Sequence, residues 1–391
     1  MSQPASGTVQ PPVILCAGES SGDQLAAGLM RALCERRPGL RFAGIGGAAM
    51  RAEGLECWWD CQELAVMGLV EVLRHLPRLL RLRREFLARC RAQGAGLYIG
   101  IDAPDFNLPV EKRLRGLGWR SVHYVSPSIW AWRQGRARSI GQSADRVLCL
   151  FPFEPALYER HGVDARFVGH PFADAMAVED QGEAARSALG LESAARVLAV
   201  LPGSRRGEIS RLIDDFLGAA VLDAAAHPGT VYLLPLAHES LRAPIEAACA
   251  RVPGALALDL RLLPGGATRQ ALQAANLVLV ASGTASLEAL LAHRPMVVAY
   301  RIAALSHWIV RTFGLLKVQH FSLPNALAGT ELVPELAQDA VAPASLHAAL
   351  VAWEQDPQRC TSYAQQALHI HRLLRQDASA AAATAVLDLL P

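Results

Sequence analysis

Two carboxylates and an amide lie close together in the segment Gly100–Asn107, GIDAPDFN. This segment follows an apolar run, Leu97–Ile101, that predicts a strand buried on both faces. Partial burial at such a strand end raises the pKa of a carboxylate toward the range that a general base needs. The pattern therefore favours chemistry at Asp102 or Asp105. Alternatively, one of them caps the next helix, and Asp105 suits that role better because Asp102 lies nearer the strand.

Small polar loops follow two further apolar runs and precede helical patterns. Gly18–Asp23 (GESSGD) predicts either an anion-binding turn or an ordinary turn before a helix capped by Asp23. Leu201–Glu208 (LPGSRRGE) is the better candidate for a diphosphate. There, glycine lets backbone amides approach a phosphate, Ser204 can donate, and Arg205 can bind two oxygens; a solvated turn is the alternative.

A third loop of this kind is Ala281–Glu288 (ASGTASLE). Thr284 and Glu288 are one helical turn apart, so both can face the mouth of the loop. A carboxylate at that position could hold the two hydroxyls of a ribose; the alternative is a helix start with Glu288 on a solvated face. Farther on, the polar break Ser322–Gly329 could close over a binding cleft.

The elements that carry these loops alternate along the whole chain. Short continuous apolar runs separated by helical patterns predict parallel sheets covered on both faces, which is the α/β class. The polar segment 177–193 suggests a linker or linking helix between two doubly wound domains that face a cleft. Ligands in such sheets bind beyond the carboxyl ends of the strands, where all these loops lie.

Composition excludes several classes of protein. The 391 residues are 52% hydrophobic with a net charge of +2, which excludes intrinsic disorder and a chain-wide attraction to nucleic acid. Only Lys112 and Lys317 are lysines, and no Gly-Lys-Ser/Thr tripeptide occurs, so any phosphate is bound by arginine and backbone amides. Eight scattered cysteines, with no signal peptide and no apolar run long enough to span a bilayer, predict reduced thiols in a cytoplasmic protein.

One segment combines leucines with arginines. Residues 64–84 suit an interfacial membrane helix, although we expect Pro77 to break it; a core helix with a solvated basic face is the alternative. The residues predicted to contact the membrane are Val66, Met67, Leu69, Val70, Leu73, Leu76, Arg78, Leu79 and Leu80. The aromatic segment 124–133, YVSPSIWAWR, is explained by packing or by contact with an amphipathic substrate.

Together these motifs resemble the lipid-A-disaccharide synthase family of inverting GT-B glycosyltransferases. The strings IDAPDFN, YVSPSIWAW and LPGSR are far more specific than a generic glycine-rich loop, and matching segments run from near residue 13 to beyond 330. The resemblance implies two Rossmann-like domains facing a cleft. We expect a flexible N-terminus (1–12), an acceptor and membrane domain (13–180), a UDP-sugar domain (190–345) and C-terminal helices (346–391) packed on the first domain.

The resemblance also implies a reaction. UDP-2,3-diacylglucosamine and 2,3-diacylglucosamine 1-phosphate (lipid X) give a β-1′,6-linked disaccharide and UDP, with no metal or other cofactor. Asp102 is the expected base, with Glu19 or Asp105 less favoured. The expected substrate- and UDP-binding residues are Ser20, Ser21, Gly22, Gly203, Ser204, Arg205, Ser282, Gly283, Thr284, Glu288, Tyr300 and Asn325.

The family further implies a peripheral position on the cytoplasmic face of the inner membrane and a homodimer with exchanged C-terminal parts. Two rival hypotheses remain open from the residues. One is a UDP-sugar epimerase, or a GT-B transferase with a soluble acceptor. The other is a non-catalytic UDP-sugar sensor at the membrane, for which the paired carboxylates of Gly100–Asn107 would have no use.

Overall fold

The computed structural model describes residues 11–64, 69–132, 134–302 and 320–390. For residues 69–75, 131, 132 and 134 only the backbone is described. The predicted membrane-contact residues Val66 and Met67, the side chains of Leu69, Val70 and Leu73, and most of the predicted flexible N-terminus therefore lie outside the described part.

The chain divides into two compact units, each built on one parallel sheet. The first comprises the chain up to Pro171 together with the chain from Leu374, and the second is Phe172–Leu373. Each sheet matches the predicted α/β class.

The sheet of the first unit has seven parallel strands in the order β3-β2-β1-β4-β5-β6-β7. The strands are β1 Val13–Ala17, β2 Phe42–Gly46, β3 Leu55–Asp60, β4 Leu97–Ile101, β5 Arg120–Tyr124, β6 Arg146–Cys149 and β7 Asp164–Phe167. The helices among these strands are α1 Ser20–Arg36, α2 Ala48–Ala52, α3 Leu69–Ala92, α4 Pro104–Arg115, α5 Ile129–Trp132, α6 Ala137–Gly141 and α7 Pro155–Glu159. Helix α8, Pro171–Ala175, begins at the boundary and lies almost wholly in the second unit.

The sheet of the second unit has six parallel strands in the order β10-β9-β8-β11-β12-β13. The strands are β8 Val197–Leu201, β9 Val231–Pro235, β10 Asp259–Leu263, β11 Leu277–Ala281, β12 Met296–Tyr300 and β13 Glu335–Ala337. The remaining described helices are α9 Gly182–Ala188, α10 Arg206–Ala226, α11 Arg242–Arg251, α12 Thr268–Ala274, α13 Thr284–Leu291, α14 Leu323–Ala328, α15 Pro343–Glu354, α16 Pro357–Leu374 and α17 Ala378–Leu387.

The core explains why the strands are continuously apolar. In β1, Val13 and Leu15 pack with α1 and α17 on one face of the sheet, whereas Ile14 and Cys16 pack with α3 and α4 on the other. Side chains alternate between the two faces of a strand, so a strand covered on both sides must be apolar at every position. All eight cysteines are free thiols and are buried or half-buried.

In both sheets, the predicted loops follow the two strands at which the strand order reverses, the topological switch point. In the first sheet β1 lies between β2 and β4, and in the second β8 lies between β9 and β11. The connections therefore leave β1 and β4, and likewise β8 and β11, in opposite directions along the sheet. A crevice opens at the carboxyl ends of such strand pairs, and ligands of open α/β sheets bind there.

Three expectations about elements need correction. Helix α3 continues through Pro77, because one proline costs a helix a single backbone hydrogen bond and a local distortion that flanking turns can absorb. The second unit begins well before residue 190: α9, inside the predicted linker, packs on α12. Of the C-terminal helices, only α17 packs in the first unit, against α1, whereas α15 packs on α10 in the second.

Candidate functional site

The loop after β1 opens a helix at the carboxyl edge of the first sheet. Helix α1 begins at Ser20, and its N-cap residue, Glu19, is extended and makes no capping hydrogen bond with its side chain. Ser20 and Ser21 are exposed. Gly22 is buried beside Ala17 and Ile101. The first turn of this long helix therefore has two exposed serines and no side-chain cap from Glu19.

Asp23 does not cap its own helix, contrary to the alternative considered for this loop. Its carboxylate accepts hydrogen bonds from the backbone amides of Gly47 (2.6 Å), Ala49 (2.9 Å) and Met50 (3.1 Å). These amides belong to the start of α2, so Asp23 is a structural cap for a helix more than twenty residues away.

The loop after β4 holds Asp102 in an unusual backbone conformation. Asp102 and Ala103 have φ values of 49° and 43°, in the left-handed region that residues other than glycine rarely adopt. Asp102 is half-buried, and Asp105 is exposed in the first turn of α4. Neither aspartate caps α4, because its N-cap residue is Ala103, so the capping role considered for Asp105 is wrong.

A pocket of about 280 Å³ lies beside these two loops. Glu19, Asp105 and Arg83 supply its charged groups, and most of the rest of its wall is apolar. The lining residues are Gly18, Glu19, Leu64, Leu76, Leu79, Leu80, Arg83, Ala103, Pro104, Asp105 and Phe106. The pocket joins an apolar wall to carboxylates, as an amphipathic ligand with a polar head would need. Asp102 directly precedes Ala103, which lines the pocket.

The second unit has a pocket of about 260 Å³ at its switch point, which we call the polar pocket because two carboxylates and four hydroxyls are among its lining groups. Loops after β8 and β11 and the starts of α10, α12 and α13 surround it. The lining residues are Leu201, Gly203, Ser204, Glu208, Pro235, Ala237, Thr268, Ala281, Ser282, Gly283, Thr284, Ala285 and Glu288. The structure thus brings together six of the predicted UDP-binding residues, from two loops about eighty residues apart in sequence.

The carboxylate of Glu208 accepts hydrogen bonds from the backbone amides that we expected to bind phosphate. Its carboxylate accepts hydrogen bonds from the backbone N–H groups of Ser204 (3.1 Å) and Arg205 (3.3 Å), and from the Arg205 guanidinium (3.1 Å). Arg205 is the N-cap residue of α10, and its side chain is 62% exposed. The start of α10 is therefore capped by a carboxylate of its own first turn, at the place where the sequence predicted a phosphate.

Glu288 lies in the same pocket, where burial raises the pKa of its carboxyl and the more distant positive charge of Arg269 opposes that shift. Thr284, one turn earlier on α13, lines the pocket with it, as the spacing predicted. Gly283, the N-cap residue of α13, has no side chain to cap the first amides of this helix, and Gly283, Thr284 and Ala285 all line the pocket.

Three residues of the second unit that were predicted to bind UDP are not in the lining of this pocket: Arg205, whose side chain contacts the lining residue Glu208, Asn325 and Tyr300. Asn325 is fully buried, and its side chain closes its own loop by accepting from Leu332 and Val333 N–H and donating to Val333 C=O. Tyr300 is half-buried against Phe321, and burial raises the pKa of its hydroxyl.

The contacts of several residues at these sites were not predicted from the sequence. The spacing of Arg205 and Glu208 matches a capping box, which could have revealed the bound carboxylate. Asn107 stands in the string IDAPDFN, but nothing in its spacing shows that it contacts the strand end. Arg83 gave no local signal, because it is one arginine among many on α3.

Comparisons with known proteins agree with this geometry. A family model described as "Lipid-A-disaccharide synthetase" matches residues 13–389. A relative from Xanthomonas campestris pv. campestris (strain 8004), named lipid-A-disaccharide synthase, is 54% identical over 380 residues, which are 97% of this chain and 86% of the relative.

Solved structures share the fold at low sequence identity. UDP-GlcNAc 2-epimerase from Neisseria meningitidis, solved with UDP-GlcNAc, superposes with a TM-score of 0.65 at 12% identity, covering 96% of this chain and all (100%) of the other. A glycosyltransferase involved in lipopolysaccharide biosynthesis gives 0.56 at 13% identity, covering 96% and 99%. Epimerases and transferases share this GT-B-type fold, so the fold alone does not choose between them. The family match does choose, because it covers both units and every loop described above: the chain belongs to the lipid-A-disaccharide synthase family.

Proposed function

We propose that this protein transfers a diacylglucosaminyl group from UDP-2,3-diacylglucosamine to the 6-hydroxyl of 2,3-diacylglucosamine 1-phosphate, releasing UDP. The observation that carries the proposal is the pairing of two different sites in a chain of this family. The second unit has a polar pocket with donors suited to a nucleoside diphosphate, and the first has an apolar pocket beside carboxylates.

The donor belongs in the second unit. Arg205 and the N-terminal amides of α10 and α13 neutralise the diphosphate, whose negative charge increases as the sugar departs. For this to happen, the phosphate displaces the Glu208 carboxylate from the Ser204 and Arg205 amides. Glu288 binds the ribose hydroxyls, and Thr284 contributes from the same helix face.

The acceptor belongs in the first unit. Asp102 takes the proton of the acceptor 6-hydroxyl as its oxygen attacks the anomeric carbon from the side opposite the departing UDP, which inverts the configuration. Glu19 and Asp105, at the rim of the apolar pocket, bind the polar part of the acceptor. An acyl chain lies along Leu76, Leu79 and Leu80.

The same helix carries the proposed membrane contact. Leu76 and Leu80 are 41% and 39% exposed, and Arg78 and Arg83 lie on the same helix. Apolar residues with flanking arginines suit the surface of an anionic bilayer, where acylated substrates reside. In the described part of the chain, no helix is long and apolar enough to cross a bilayer. A homodimer with exchanged C-terminal parts completes the proposal.

The test is the identity of the product. Purified protein is incubated in detergent with the UDP-sugar, with and without the monosaccharide 1-phosphate, and the products are identified by mass spectrometry. We expect UDP and a tetra-acylated disaccharide phosphate only when both substrates are present. An isomerised UDP-sugar would support the epimerase, equal turnover of a deacylated acceptor would support a soluble acceptor, and UDP binding without turnover would support the sensor.

A further inference from the structure

Within the described part of the chain, no hydrogen bond fixes the direction of the Asp102 carboxylate. Among the described residues, none donates to either of its oxygens, and the side chain is half-buried at the end of β4. The backbone, which is left-handed at both Asp102 and Ala103, sets the direction of the Cα–Cβ bond from which the carboxylate extends. Whatever holds that backbone therefore also restricts the region that the carboxylate can reach.

Two hydrogen bonds hold the Asp102 backbone, one on each side of its Cα atom. Its N–H donates to the carbonyl of Tyr124, at the end of the neighbouring strand β5, over 2.8 Å. Its carbonyl accepts from the Nδ2 atom of Asn107, also over 2.8 Å. The first bond extends the normal pairing of β4 with β5, whereas the second comes from a side chain one turn into α4.

Asn107 is fully buried, and its side chain is fully used. Nδ2 also lies within hydrogen-bond distance of the carbonyls of Cys16 (3.2 Å) and Ile101 (3.3 Å), so it joins the ends of β1 and β4. Its Oδ1 atom accepts from the hydroxyl of Tyr98 over 2.7 Å, which fixes the orientation of the amide. An aspartate in this place would turn an acceptor toward three carbonyls.

The surrounding sequence makes room for this contact. A Cβ atom on Gly100 would lie 2.8 Å from the Cβ atom of Asn107, and one on Gly18 would lie 2.5 Å from the Cβ atom of Ala103. Both distances are too short for real carbon contacts. Glycine at these two positions therefore lets α4 and the left-handed turn lie directly on the strand ends.

We infer that Asn107, oriented by Tyr98, is the positioning residue that holds Asp102 in its left-handed conformation and so aims its carboxylate at the acceptor hydroxyl. The inference rests on the proposed function, since it assumes that Asp102 is the base. Asn107 itself touches no substrate, so its loss should lower kcat and leave the KM for the acceptor unchanged. A misplacement of a reacting group by about 1 Å costs about 10²-fold in rate.

A double-mutant cycle tests this assignment. Asn107→Ser, Asp102→Asn and the double variant are compared by acceptor-dependent UDP release in the full-length protein at saturating substrates. We expect Asn107→Ser to lower kcat about 10²-fold and to change the KM for the acceptor less than threefold. In the protein that already carries Asp102→Asn, adding Asn107→Ser should lower kcat by less than about threefold, because the effects of residues that act as a unit are not additive.

Two results would overturn the inference, and they differ. Equal fold-losses from Asn107→Ser in both backgrounds would show that Asn107 acts independently of Asp102. Full activity of Asp102→Asn would remove the base assignment itself, and the inference with it. Tyr363→Phe is the matched control, since it removes a buried hydroxyl hydrogen bond (2.8 Å to Arg294 C=O) in the second unit and should leave kcat unchanged.

If Asn107→Ser does not fold, Tyr98→Phe takes its place in the cycle. This variant keeps the buried ring and removes only the hydroxyl that orients the amide. We expect a kcat loss of about tenfold that disappears in the Asp102→Asn background. A loss that persists there, or no loss in the otherwise unchanged protein, would contradict the inference.

Discussion

Arg205 and Arg206 are neighbours in sequence with different surroundings. Arg205 is the N-cap residue of α10 and contacts Glu208 in the polar pocket, whereas Arg206 is exposed in the first turn and lines a separate surface groove. This pair therefore separates the contribution of one guanidinium from the general effect of positive charge near the site.

We expect Arg205→Ala to lower kcat/KM for the UDP-sugar about 10²–10³-fold, because a charged donor to the departing diphosphate is lost. Arg205→Lys should recover only part of this, since an ammonium cannot bind two oxygens in parallel. Steady-state kinetics and UDP calorimetry measure both effects. Arg206→Ala is the control, and a similar loss there would refute the specific role of Arg205.

The sequence could predict which residues lie near the pocket, but not what each of them contacts. Thr284 and Glu288 share a helix face, and that relation is local, so their spacing was sufficient. Asp23 contacts amides more than twenty residues away, and Asn107 contacts the end of β1, which precedes it by about ninety residues. Such contacts depend on strand order, which no local pattern records.

At the scale of elements, the loop after β6 contains a buried carboxyl that the sequence did not reveal. Burial raises the pKa of Glu154 to about 8, although the N–H of Phe151 and the hydroxyl of Ser126 favour its charged form. Glu154 is therefore mostly neutral at pH 7, at a strand end on the same edge of the sheet as Asp102.

This burial gives a pH dependence with a definite sign. Between about pH 4.5 and 8 the unfolded chain has lost the Glu154 proton and the folded chain keeps it, so stability falls as pH rises. We expect Glu154→Gln to remove this contribution to the pH dependence. The free energy of unfolding of the variant, relative to that of the unchanged protein, should be higher at pH 8 than at pH 4.5 by roughly 2–4 kcal/mol. Urea unfolding at the two pH values measures the difference. Glu159→Gln is the control: Glu159 is exposed in α7, so its substitution should leave the free energy of unfolding unchanged at both pH values. If Glu154→Gln kept the pH dependence of the unchanged protein, the assignment to Glu154 would be contradicted.

The elements themselves were largely predictable where burial leaves a simple pattern. β1, β4, β8 and β11 are wholly buried and read as continuous apolar runs. Helix α3 shows a limit of such patterns, because it continues through Pro77, where proline usually ends a helix. Phe86 and Cys90, in its later turns, pack in the core. Helix α17 shows the same limit, since its alanines predict a helix but not its place against α1.

At the scale of the whole molecule, the proposal requires a protein that meets its substrates at a bilayer surface. Leu76 and Leu80 are exposed on α3 and line the pocket beside Glu19 and Asp105. Burial of leucine side chains in lipid contributes about 1.5–3 kcal/mol for each fully buried side chain. Binding through these residues and nearby arginines should weaken with salt.

We expect the double variant Leu76→Ser/Leu80→Ser to bind anionic phospholipid vesicles at least about tenfold more weakly in co-sedimentation. The double variant Leu117→Ser/Leu256→Ser is the control, because these leucines are 44% and 77% exposed at other places. Equal losses from both pairs would show general adhesion, and no loss from the first pair would place the membrane contact elsewhere.

The most direct test of the account is the assignment of the base, because it connects the residue, the strand end and the reaction. Acceptor-dependent UDP release is measured at saturating substrates for Asp102→Asn, Asp105→Asn and Glu19→Gln. We expect Asp102→Asn to lose about 10²–10⁴-fold in kcat, the usual contribution of a general base, with smaller losses in the other two. Full turnover in Asp102→Asn, with the large loss in Asp105→Asn or Glu19→Gln instead, would contradict the account and move the acceptor's proton to another carboxylate.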